Sequence, residues 1–145
     1  MIQVLKLQDP TKRLVLYDVA KACLGKDMAP LENEYGCAEA LNEVYKKAFG
    51  SPIGGGLSSY LLYHALKKGN FLKVLEPLEG DIIISPTGFG NGNVKSGHVG
   101  IVSTNDKIMS NTSRNGLWEE NYTLKGWKER FEIQGGYPVF FFRVI

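Results

Sequence analysis

The sequence changes texture once, near Pro77, and that change limits the folds open to it. Ahead of it, apolar residues recur at helical spacing and glycines close each segment. Beyond it, they gather in short β-branched or aromatic runs separated by turn residues. Three helices are predicted in the first half. One runs from Thr11, which can cap it, to about Leu24, where Gly25 stops it. A second begins near Cys37 and ends before Gly50, with Cys37, Ala40, Leu41, Val44 and Ala48 as its apolar stripe. A third runs from Ser58 to Lys68, ended by Gly69, with Leu61 and Ala65 inward.

The second half reads as strands. Asp81 to Ser85 carries three successive isoleucines. Val99 to Ser103 and Lys107 to Asn111 flank Thr104-Asn105-Asp106 and form a predicted hairpin. Thr123 can cap a short helical turn through Trp127 and Phe131, and Pro138 to Ile145 closes the chain as an aromatic strand. Helices followed by antiparallel strands imply an α+β fold, the helices packed on one face of the sheet. No repeat or linker interrupts the 145 residues, so residues 1–145 read as a single domain.

Composition excludes several function classes. The apolar run Val139-Phe140-Phe141-Phe142 is far short of the roughly 18 residues a membrane span needs. A formal charge of +2 is too slight to argue for nucleic acid, and the first ten residues show no secretory signal. Two histidines and two cysteines without paired spacing leave too few ligands for a zinc hydrolase. The Gly-rich loop Pro86 to Gly97 has no Gly-Lys-Ser/Thr phosphate motif and reads instead as the rim of a cleft. No metal or organic cofactor is expected.

The chemistry concentrates on a few residues. Cys37 stands at the opening of a helix, directly after Tyr35-Gly36. Free backbone N–H groups and the positive end of the dipole favour a thiolate there, so a depressed thiol pKa is expected. Cys23, in the last turn of its helix, is the packing cysteine. Of the two histidines, His64 reads as a partly buried helix residue. His98 follows the Gly-rich loop at the lip of a strand, where it can face a cleft and serve as base. If Thr104-Asn105-Asp106 makes the turn, Ser103 faces Lys107 and His98 falls opposite Asn111 or Thr112. Asn111 is then the candidate to orient the imidazole, with Asn115 and Ser110 as fallbacks. Tyr35 and Trp118 are candidate substrate contacts, Trp127 and Tyr122 further aromatic ones, and Arg114 a candidate for a substrate carboxylate. Asp81 reads as a turn acceptor.

Tyr35-Gly36-Cys37-Ala38-Glu39-Ala40-Leu41 resembles the nucleophile helix of the CHAP and NlpC-type cysteine peptidase/amidase superfamily. Gly80-Asp81-Ile82-Ile83-Ile84 is similar to its Gly-Asp-led strand, and Gly97-His98-Val99-Gly100-Ile101-Val102 to the strand that carries its histidine. The resemblance implies a papain-like fold and hydrolysis of an amide bond in bacterial cell-wall peptidoglycan, without cofactor. Carried over, Cys37 is the nucleophile, His98 the base and Asn111 the orienting residue. The chain departs from the NlpC branch in lacking Asp-Cys-Ser, and Asn in the third position is closer to the CHAP branch. The resemblance further implies a phage endolysin or tail-associated lysin, or else a bacterial wall-remodelling enzyme. Such a lysin would sit in the host cytoplasm before release to the wall, or in the virion tail beside other virion proteins. Two other uses of the same site stay open: a virion structural or wall-binding module without chemistry, and an acyl transferase of the transpeptidase or transglutaminase kind.

Overall fold

The computed structural model describes residues 10–31, 36–56, 58–91 and 96–145. Helix α1 spans Thr11–Ala22, α2 Cys37–Phe49 and α3 Ser59–Lys68. Thr11 is the first residue of α1 and not its cap; Pro10 occupies the cap position without a side-chain hydrogen bond. Gly50 ends α2 at φ 92°, a left-handed conformation that costs glycine least. Ser58 caps α3 by accepting the Leu61 N–H at 3.2 Å. The inward stripe of α3 is Ser59, Leu62, Tyr63 and Leu66, and Leu61 is exposed. A one-residue error in the sequence reading rotates a helix face by about 100°.

Six strands form one antiparallel sheet: β1 Phe71–Val74, β2 Ile82–Ser85, β3 His98–Val102, β4 Lys107–Asn111, β5 Trp118–Thr123 and β6 Phe140–Val144. Their order is β1-β6-β2-β3-β4-β5. The β3–β4 hairpin turns where expected, with Asn105 and Asp106 at φ 56° and 57°, a region these short polar residues tolerate. The Ser103 N–H donates to the Lys107 carbonyl at 2.7 Å, and Ile101 pairs with Met109.

Alternation then divides the side chains between the two faces. Ile82, Ile84, Val99, Ile101, Met109, Trp118 and Phe142 meet helices α1 to α3 in the larger core. Ile83, Val102, Ile108 and Phe141 face the other way, onto Trp127, Phe131 and Tyr137. These last come from α4, Leu124–Trp127, the π-helical segment Lys128–Gln134 that continues it, and the approach to β6. The α+β, papain-like arrangement with its N-terminal helices on an antiparallel sheet thus carries a further helical layer on the opposite face. That layer matters, because His98 and Ser110 share its side of the sheet.

Candidate active site

Cys37 is the first residue of α2, partly buried against the larger core. Helix α2 packs on β3 and β4, which brings the sulfur to the start of β3, among the backbone N–H groups of Ala38, Val99 and Cys37 itself. Cys23 is buried in the core, as expected of a packing residue. Cys37 and His98 line one cleft of about 1010 Å³. Its rim includes Thr87 and Gly97 at the two ends of the Gly-rich loop. The Gly97 N–H donates to Thr87 Oγ1 at 2.9 Å, and that hydroxyl lies 2.9 Å from Ser59 Oγ on α3. The rim is therefore tied to a helix.

The His98 ring packs 5.2 Å from Trp127 and stacks on Phe131 at 5.7 Å, the planes 17° apart. Its Nε2 lies 2.9 Å from Ser110 Oγ. The single proton of that hydroxyl goes to Asn121 Oδ1 at 2.5 Å, so Ser110 accepts from Nε2–H. Neutral His98 is thereby held as the Nε2–H tautomer, and Nδ1 keeps the lone pair that can take a proton.

Asn111, expected in that role, does not hold the imidazole. It lines the cleft from the helix-facing side of β4, and its Oδ1 is buried without a hydrogen-bond partner. The turn geometry carried the signal. With Ser103 opposite Lys107, alternation puts His98, Gly100 and Ser110 on one face and Asn111 on the other. Gly100 makes the contact possible, because a Cβ there would crowd the Met109 carbonyl and Ser110. Asn121 was missed because β5, Trp-Glu-Glu-Asn-Tyr-Thr, has no strand pattern of its own and is ordered by pairing with β4. Asn115 belongs to a turn, where it bonds Thr112 and Glu119.

The protonation states also differ from expectation. Burial pushes the Cys37 thiol up to about 11, against the lowering by the three backbone groups. Burial first, and the Arg130 guanidinium second, push the imidazole down to about 4. Both shifts favour the uncharged forms, a thiol and a neutral imidazole.

The other candidates are distributed as follows. Trp118 is fully buried in the larger core, its indole N–H on the Ala20 carbonyl at 3.1 Å, and it does not line the cleft. Tyr35 lies outside the described residues. Tyr122 lines the cleft; Trp127 sits under His98 and donates to Ser85 Oγ at 3.0 Å. Arg114 stands outside the cleft, whereas Arg130, which the sequence did not single out, lines it. His64 packs among Tyr60 and Tyr63 on α3. Asp81 accepts the Leu78 N–H, as a turn acceptor should, and also takes both arms of Arg143. Among the described residues no cluster of three His, Cys, Asp or Glu could hold a metal ion, and no helix is long and apolar enough to cross a membrane.

No family model matches the chain, and no curated protein matches it. Among solved structures it is similar to Tae3 in the type VI native effector–immunity complex Tae3–Tai3 from Ralstonia pickettii. The TM-score is 0.59 at 16% identity, over 92% of this chain and 98% of the other. The likeness is one of fold.

Proposed function

We propose that the protein hydrolyses an amide bond of bacterial peptidoglycan through a Cys37 acyl-enzyme. The observation that carries this reading is that one cleft is lined both by a helix-start thiol and by an imidazole whose Nε2 is held by Ser110, which is itself bonded to Asn121. The motif resemblance around Cys37 and His98 supplies the substrate class, and the fold shared with an effector supports it.

The chemistry follows from the two neutral groups. As Sγ attacks the substrate carbonyl carbon, its proton passes to His98 Nδ1, so charge develops only in the transition state. In this scheme the Cys37 backbone N–H, at the start of α2, holds the oxyanion. His98 then gives that proton to the leaving amine and the C–N bond breaks. Water, deprotonated by the same nitrogen, cleaves the thioester to a carboxylic acid and restores the thiol. Ser110 and Asn121 act as positioning residues in this scheme, in the place that the resemblance would give to Asn111. The setting we favour is a wall-degrading effector met by an immunity protein, since Tae3 is found in such a complex. The phage lysin implied by the motifs is the other setting.

The test is digestion of purified peptidoglycan, with mass spectrometry of the released fragments. Wild type and Cys23→Ala release new amine termini; Cys37→Ala and His98→Ala release none. Undiminished release by Cys37→Ala would overturn the assignment. Free stem peptide parted from sugar identifies an amidase, and new peptide termini an endopeptidase.

A further inference from the structure

We infer that Arg130 binds a substrate carboxylate next to the scissile amide, so that the enzyme selects acidic peptides over their amidated forms. The inference rests on the hydrolase reading for its substrate and on the cleft itself for its charge. Arg130 projects from the π-helical segment Lys128–Gln134 and lines the same cleft as Cys37 and His98. Its guanidinium carbon lies 5.7 Å from the centroid of Phe131, the ring that stacks on His98. Among the described residues it is exposed and makes no ion pair. The described side chains lining the cleft include hydroxyls, amides and aromatics but no carboxylate, and Arg130 is the one permanently charged group among them. A guanidinium presents a planar fork that a carboxylate meets with two charge-assisted hydrogen bonds.

A second consequence ties binding to catalysis. The Arg130 charge opposes protonation of His98, and the proposed mechanism requires His98 to carry a proton transiently. A carboxylate seated on the guanidinium neutralises that opposition, so an acidic substrate both binds and eases the proton transfer.

The experiment pairs a stem peptide bearing a free carboxylate beside the scissile bond with the same peptide as its carboxamide. Wild type is expected to favour the acid by roughly ten- to a hundredfold in kcat/KM. Arg130→Gln brings that preference to within about twofold, and Arg130→Lys keeps part of it. Lys128→Gln, which removes the same charge outside the cleft, retains it. Binding of both peptides to the Cys37→Ala protein by calorimetry gives a readout that needs no turnover. A preference there, lost on adding Arg130→Gln, supports the site even if the hydrolase reading fails. Turnover in which wild type and Arg130→Gln treat acid and amide alike overturns the site and leaves the hydrolase standing.

Discussion

A thiol at the first turn of a helix feels two opposing influences, and at Cys37 desolvation is the larger. Three backbone N–H groups lower its pKa, yet burial leaves it near 11. With the thiolate at roughly one part in ten thousand at pH 7, alkylation of Cys37 in the free protein should rise about tenfold per pH unit from pH 7 to 10. A rate level from pH 9 down to pH 5, followed with iodoacetamide and peptide mass spectrometry, would instead mark a preformed thiolate–imidazolium pair. The other residue-scale prediction concerns Ser110. Replacing it by Ala frees Nε2, releases the tautomer and lowers kcat by roughly ten- to a hundredfold with KM little changed. Its pH profile should shift as well, since the imidazole then meets different partners. Asn111→Ala should leave that profile in place, because its side chain is on the opposite face from the ring.

At the scale of elements, the site is set by how β3 is entered. Gly97 sits so close to the Ser85 carbonyl and the Thr87 N–H that a Cβ would collide with the backbone of that segment. Gly97→Ala must therefore move the strand entry that aims His98. The expected cost is roughly 1–3 kcal/mol in urea unfolding, with a loss of kcat/KM of tenfold or more in the same preparation. The hairpin beyond it was legible in the sequence. Its turn residues fix the register, and the register decides which residues share a face with His98. The C-terminal segment was legible as a helical turn but not as a π-helix, nor as the layer that covers the imidazole. Trp127 and Phe131 acquire that role from the sheet face they meet, and no local pattern announces it.

At the scale of the whole molecule, an ion pair with a fully buried carboxylate joins β6 to the entry of β2. Arg143 on β6 donates to Asp81 through Nε at 2.8 Å and Nη2 at 2.7 Å, and Asp81 is fully buried at the entry to β2. Arg143→Met strands that carboxylate and should cost about 3–5 kcal/mol by urea unfolding. Neither residue lines the cleft, so the protein that remains folded should keep its kcat. Asp81→Asn/Arg143→Met together should recover much of the loss, because no charge is then left uncompensated. The sequence by itself determined the order of the three helices and of strands β2, β3, β4 and β6, the start of α2 at Cys37 and the strand that carries His98; β1 and β5 have no strand pattern of their own and are set by pairing with β6 and β4. Helical and strand periodicities, caps and turns are local, and a single chain displays them. Tertiary structure alone decided that Trp118 is core, that Ser110, bonded to Asn121, holds the imidazole, that Arg130 enters the cleft and that burial raises the thiol's pKa. Each of these depends on which distant segments exclude water from a group, and desolvation belongs to the assembled neighbours, not to any stretch of sequence.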